Sequence, residues 1–228
     1  MGQINFENPH AQTAEVFSAL QSDYRQVLKS YRRAFRAIVD CGNDKVQVHC
    51  KLTINELDRL LQDSFTVVPE RAKPLPVTRF LDACLRTASQ GPFSRLAADL
   101  DEIINHLQWD WGYDEMPDHL KGAFAYTEII GEQSQIKSHS MSVGLVLFAP
   151  GCAYPKHSHV GITESYLVLS GSVTQNDFGV FGPGSLLFNP PGREHTITVD
   201  TMAPALLAYS WTAEPGVLAA NEMILSSE

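Results

Sequence analysis

Gly151-Cys152-Ala153-Tyr154-Pro155-Lys156-His157-Ser158-His159 runs through Val160-Gly161-Ile162-Thr163 into Glu164-Ser165-Tyr166, and then into Leu167-Val168-Leu169-Ser170-Gly171. Successive side chains of a β-strand alternate between its two faces, so His157 and His159 project together. Glu164 and Tyr166 have the same spacing, after a short connection that can bring the chain back alongside. Two imidazoles and a carboxylate aimed inward from neighbouring strands can hold a divalent metal ion, with a fourth ligand supplied from elsewhere. His195 is the candidate, at the start of a later strand after the turn Pro190-Pro191-Gly192-Arg193-Glu194. With 8 His and 15 Gly in 228 residues, Gly, His, His, Glu and Gly at these offsets arise by chance in roughly one random chain in ten thousand. A lone His-x-His would carry little weight; four candidate ligands in order on strands make metal binding the better reading.

Working outward, the second half of the chain reads as strands. Short apolar or alternating runs recur at residues 124–130, 142–148, 166–169, 185–188, 195–199 and 206–211. Ala149-Pro150-Gly151, Ser170-Gly171, Gly182-Pro183-Gly184 and Pro190-Pro191-Gly192 separate them, and short strands punctuated by Gly and Pro predict a sandwich or barrel. The first half reads as helices. Over residues 11–40, Val16, Leu20, Tyr24, Val27, Tyr31, Phe35 and Ile38 fall three or four apart, on one helical stripe. Cys41-Gly42-Asn43-Asp44 stops that helix, and Thr53-Ile54-Asn55-Glu56 reads as the capping box of the next, with Leu57, Leu60, Leu61 and Phe65 following. Pro74 and Pro76 break the chain, and further helices are expected over residues 78–87 and 94–107.

The expected fold class is therefore α+β, with a helical region over residues 1–122 and a β-barrel carrying the metal site over residues 123–228. Residues 108–122 suit either part, and Trp109, Trp111 and Tyr113 form an aromatic knot there. The helices have to bury their apolar stripes, and capping the barrel or forming a homodimer surface are the two expected ways.

Composition narrows the function. Lys plus Arg (17) against Asp plus Glu (26) leaves a net charge of −9, and the absence of a basic run speaks against nucleic acid as a partner. The longest strongly apolar stretch, residues 143–149, is too short to span a bilayer. No secretory pattern opens the chain, and Cys41, Cys50, Cys84 and Cys152 form no CxxC pair. A cytoplasmic protein with reduced thiols and a small-molecule substrate is expected.

Gly151-x5-His157-x-His159-x4-Glu164-x6-Gly171 resembles the first signature motif of the cupin superfamily. Gly184-x5-Pro190-x-Gly192-x2-His195 resembles the second, with Val199 where that pattern often has Asn. The resemblance implies a double-stranded β-helix barrel with His157, His159, Glu164 and His195 around one metal ion. A narrower similarity, in Tyr154-Pro-x-His157-x-His159, Glu164-x-Tyr166, Phe124-Ala-Tyr126 and Leu206-Leu-Ala-Tyr209-Ser-Trp211, is to the cupin-type dimethylsulfoniopropionate (DMSP) lyases. Members of that group cleave DMSP to dimethyl sulfide and acrylate. The ligand types accept Zn, Fe, Mn, Ni or Cu without choosing among them.

DMSP cleavage is a β-elimination, so it needs a base for a proton α to a carboxylate. Tyr166, beside Glu164 on the same strand face, is the expected base; Tyr154 is the second candidate, as partner base or as donor to the carboxylate. A sulfonium group suits aromatic faces, and Tyr126, Phe181, Phe188, Tyr209 and Trp211 lie on expected strands or their edges, where each is equally at home as core packing. Two further readings stay open: a cupin enzyme of another reaction, such as an Fe(II) dioxygenase or a lyase for another β-substituted carboxylate, and a ligand-binding cupin without catalysis.

Overall fold

The computed structural model describes residues 9–112, 117–220 and 223–225, with side chains from residue 16 onward. Tyr113 and the first eight residues lie outside that set. The chain opens with α1 (Pro9–Ile38) and α2 (Asp44–Gln62), followed by α3 (Leu81–Ala88) and α4 (Ser94–Asp101). The strands are β1 (Trp109–Asp110), β2 (Phe124–Ile130), β3 (Met141–Phe148), β4 (Ala153–His159), β5 (Thr163–Ser170), β6 (Val173–Gln175), β7 (Val180–Phe181), β8 (Leu186–Asn189), β9 (His195–Val199) and β10 (Ala205–Thr212). A short helix α5 (Val217–Ala220) and an edge strand β11 (Met223–Leu225) end the described chain.

Two boundaries differ from the sequence reading. The capping box at Thr53–Glu56 lies inside α2, because Asn43 already caps that helix by accepting from the amides of Lys45 and Val46. Nothing between Asp44 and Leu52 breaks the helix, and its apolar stripe runs unbroken through Val46, Cys50, Ile54 and Leu57. Thr53 is instead buried in mid-helix, its hydroxyl 2.9 Å from that of Ser210 on β10. The helix expected over residues 94–107 ends as α-helix at Asp101 and continues as a 3₁₀ turn, Ile104–His106. Ile103 and Leu107 nevertheless reach the core as their spacing required. The four cysteines are unpaired and all but Cys41 are buried. Among the described residues no helix is long and apolar enough to cross a membrane.

The strands form two sheets, in the orders β1-β2-β3-β10-β5-β8 and β11-β4-β9-β6-β7, and every ladder within them is antiparallel. Their facing sides enclose one buried cluster, containing Phe148, Tyr154, Tyr166, Leu187, Ile197 and Tyr209. The opposite face of the larger sheet joins a second cluster with the helices, running from Leu20 and Tyr31 to Val143, Leu145, Leu167 and Ala208. This explains why β3 is buried at all eight positions and reads as a continuous apolar run: a strand covered on both faces has no polar side to show. The four longer helices lie before the expected division at residues 122 and 123, but β1 also lies before it and joins the sheet beside β2, and the helix-backed cluster crosses it. The motif glycines Gly151 and Gly171 take φ of +70° and +76°; at Gly171 a Cβ would sit 2.3 Å from the Pro204 carbonyl oxygen, so only glycine turns the chain there.

A small polar layer crosses the helix–sheet seam. His49 of α2 is buried, with Nδ1 2.8 Å from the Thr212 hydroxyl and Nε2 2.8 Å from that of Ser165. The ring thus clasps the outer faces of β10 and β5 directly behind the residues that the motif aims inward. Burial pushes its pKa down to about 4, against a smaller upward pull from Glu164.

Two outcomes follow for His49. Replacing it with leucine strands two buried hydroxyls and should cost about 1–3 kcal/mol in urea unfolding at neutral pH. The pH dependence has a definite sign: with a folded pKa near 4 against 6.5 when unfolded, the unfolded chain binds the extra proton in between. Stability should therefore fall by about 3 kcal/mol as pH drops through that window. His49→Leu should lack this decrement, so its stability deficit relative to wild type should shrink by about that amount between pH 6.5 and pH 4.

Candidate metal centre

The ligands come from both sheets. β4 and β9 of the smaller sheet carry His157, His159 and His195, with His157 directly paired to His195 across the ladder; β5 of the larger sheet presents Glu164 from the opposite side. All four are buried, and one ligand atom from each lies within 4.8 Å of the others. A register shift in the β4–β9 ladder between Tyr154 and His157 matters here. Strict alternation would put residues three apart on opposite faces, and the irregularity lets Tyr154 and His157 both face inward.

The tautomers are set by the backbone. His157 Nδ1 donates to the Pro155 carbonyl at 2.9 Å and His195 Nδ1 to that of Arg193 at 3.1 Å. A carbonyl only accepts, so these nitrogens carry the protons and each Nε2 presents a lone pair to the centre. His195 Nε2 lies 2.8 Å and His159 Nε2 3.5 Å from the Glu164 oxygens, yet neither nitrogen has a hydrogen-bond partner. Buried nitrogens that converge on a carboxylate without hydrogen-bonding to it fit a site that could hold a cation.

The charges agree. Burial, and then the neighbouring His195, push the His157 pKa down to about 4, which keeps that ring neutral. Burial would raise Glu164, but His159 and His195 outweigh it and hold the carboxyl well below its usual range. For His195 the downward pull of burial is outweighed by Glu164, and its pKa rises. Three imidazoles and one ionised carboxylate, with donor atoms pointing at one place, fit a divalent transition-metal ion.

Glu164 is also the hub of a second set of contacts. The Tyr166 hydroxyl donates to its Oε1 at 2.5 Å and the Trp211 indole to the same oxygen at 2.8 Å. The Asn189 amide donates to Oε2 at 2.9 Å and accepts in turn from Gln175 at 2.8 Å. Register explains the convergence. Trp211 and Asn189 lie directly opposite Glu164 on β10 and β8, while Tyr209 and Leu187 lie opposite Tyr166. Burial, followed by the charge of Glu164, raises the Tyr166 pKa well above 10.

Above the ligands is a cavity of about 80 Å³ lined by Tyr154, Tyr166, His157 and His159 together with Tyr126, Tyr209 and Trp211. Trp111 of the expected aromatic knot, Phe124, Phe148 and Met223 complete much of its wall. A larger cavity of about 460 Å³ shares Tyr126, Tyr209 and Trp211 and adds Glu70, Asp110, Glu128 and Glu132. Between the two, Ser142 donates to Glu128 at 2.8 Å and lies 3.2 Å from the Tyr209 hydroxyl. Burial, then Asp110 and Glu128, push the Tyr126 pKa up to about 12.

Two of the five aromatic residues expected around a sulfonium are elsewhere. Phe188 faces the helices, its ring 5.8 Å from that of His49, because it pairs with the outward-facing Ser165. The inward positions of β8 are Leu187 and Asn189. Phe181 pairs with Val173 and packs on the barrel interior, but it is not among the residues lining the cavity. Asn189 and Gln175 were not singled out in the sequence. For Asn189 the parity of β8 relative to Glu164 was the available signal; for Gln175, on the other sheet, there was none.

The family profile for DMSP lyase, dimethylsulfoniopropionate lyase, matches residues 49–207. DddL of Cereibacter sphaeroides, to which dimethylsulfoniopropionate lyase activity is assigned, is 34% identical over 205 residues, covering 90% of this chain and 88% of that protein. Among solved structures, one reported with the DMSP lyases RdDddP and RnDddQII superposes with a TM-score of 0.62 at 21% identity, covering 91% of this chain and all of that one (100%). The DMSP lyase DddQ from Ruegeria pomeroyi DSS-3 superposes with a TM-score of 0.53 at 20% identity, covering 85% of this chain and 96% of that one. These superpositions extend through the helical part as well as the cupin barrel, and with the profile and the 34% relative they show that the chain belongs to the DMSP lyase family.

Proposed function

We propose that this protein cleaves dimethylsulfoniopropionate to dimethyl sulfide and acrylate by a metal-dependent β-elimination in which Tyr166 is the base. The observation that carries the reading is the 2.5 Å contact between the Tyr166 hydroxyl and Glu164, which ties a phenol in the cavity wall to the carboxylate of the histidine cluster. His157, His159, Glu164 and His195 would hold the ion. When bound, a divalent cation supplies positive charge that polarises the substrate carboxylate and offsets the Glu164 charge that holds the Tyr166 proton.

The remaining work falls to side chains. Tyr166, as phenolate, takes the proton from the carbon next to the substrate carboxylate. The electron pair left behind forms the carbon–carbon double bond, the carbon–sulfur bond breaks, and sulfur leaves with that bond's electrons as neutral dimethyl sulfide. A neutral leaving group needs no acid. Tyr126, Tyr209 and Trp211 offer ring faces to the sulfonium, a soft cation that aromatic surfaces hold without hydration. Tyr154, its ring 5.1 Å from that of His157, is placed to donate to the substrate carboxylate.

Headspace detection of dimethyl sulfide from purified protein tests this. Chelation should abolish release, and re-addition of one of Zn, Fe, Mn or Ni should restore it. Tyr166→Phe should lower kcat by about 100- to 10,000-fold while retaining the metal, whereas His195→Ala should lose metal and activity together. Undiminished release from Tyr166→Phe removes that residue as base; no release from folded, metal-loaded wild type removes DMSP as the substrate.

A further inference from the structure

We infer that Asn189, held by Gln175, is the positioning residue of the Glu164 carboxylate: it sets which Glu164 oxygen faces His195 and which faces Tyr166. This rests on the metal-centre reading above. A glutamate carboxylate turns easily about its last bond, so a buried one that must serve a cation with one oxygen and a phenol with the other needs its plane fixed. Oε1 accepts from Tyr166 and Trp211 and lies 3.5 Å from His159 Nε2. Oε2 lies 2.8 Å from His195 Nε2, and among the described residues its one hydrogen-bond donor is Asn189.

The direction of the chain is dictated by chemistry. An ionised carboxylate only accepts, so Asn189 must turn its amide NH₂ toward Glu164 and its oxygen away. That oxygen is met by the Gln175 NH₂ at 2.8 Å, so the opposite amide orientation would set two donors face to face there and two acceptors face to face at Glu164. Gln175, Asn189 and Glu164 are all nearly solvent-free, at 4%, 2% and 0% exposure, so water does not substitute for a missing member. The three residues also span the barrel: Gln175 stands on β6 of the smaller sheet, Asn189 and Glu164 on paired strands of the larger. The carboxylate is thereby referenced to the same sheet that carries the three histidines.

The test uses Asn189→Leu, which removes the donor at similar volume, and Gln175→Met, which leaves Asn189 in place but frees it to turn. Mn(II) and Zn(II) binding to the chelator-treated protein would be measured by calorimetry, and the Mn(II) form examined by electron paramagnetic resonance. Both variants should bind about 10- to 100-fold more weakly than wild type, with an altered Mn(II) spectrum and a fall in kcat larger than any change in KM. Folded variants with wild-type affinity and spectrum overturn the inference. If Asn189→Leu does not fold, Gln175→Met decides by the same criteria. A wild type that binds neither ion overturns the metal centre, and this inference with it; wild-type binding that the variants leave untouched overturns the inference alone.

Discussion

A single carboxylate with no exposure to water organises the interior of this barrel. Glu164 is fully buried, and an isolated charge in that environment costs far more than a small domain can sustain. The fold surrounds it with donors: the Tyr166 hydroxyl, the Trp211 indole and the Asn189 amide by hydrogen bonds, and two imidazoles within 3.5 Å. Three of these residues are carried by strands of its own sheet and the imidazoles by the facing sheet. Separating the sheets would strip the charge of both imidazoles, so the site and the packing of the barrel depend on each other.

The helical layer matters because it turns a half-wet sheet into a dry one. With α1 to α4 against its outer face, the larger sheet is apolar on both sides, and the few polar side chains at the seam must find one another. They do: Tyr31 of α1 donates to the Gly144 carbonyl at 2.6 Å, Thr53 meets Ser210, and His49 meets Thr212 and Ser165. Ser165 lies between Glu164 and Tyr166, and Thr212 follows Trp211. The helices therefore hold from behind the two strand segments whose other face carries Glu164, Tyr166 and Trp211, and a side chain on a strand held from behind keeps a narrower range of positions than one on a loop.

What could be read in the sequence follows from how local the cause is. The inward-facing histidines and the turn glycines are legible because strand parity and positive φ are properties of a few consecutive residues, as at His157, His159 and Gly171. The apolar run of β3 was legible as a strand, but the reason for its unbroken apolarity, helices on its far side, was not. Phe188 was misread and Asn189 overlooked for one reason: which face a strand residue takes depends on its ladder partner, and the register of β8 on β5 joins residues 25 apart, Glu164 and Asn189. The capping box at Thr53 failed differently. A local motif that occurs inside a longer helix is silent once a stronger cap, Asn43, starts the helix earlier.

The contact between Tyr166 and Glu164 carries the argument from packing to reactivity. Left to the protein alone, burial and the adjacent carboxylate raise the phenol pKa, the opposite of what a base needs. The same hydrogen bond also lowers the desolvation cost of Glu164. On the proposed mechanism these facts are two sides of one arrangement: offsetting the charge of Glu164 weakens its hold on the phenolic proton. The step that assembles the centre is then the step that releases the base, and a protein without its ion keeps Tyr166 protonated. Coupling of this kind needs the two carboxylate oxygens to stay distinct, one bonded to the phenol and the other beside His195. The row Trp211–Glu164–Asn189 across three adjacent strands provides that distinction by placing the indole on one oxygen and the amide on the other.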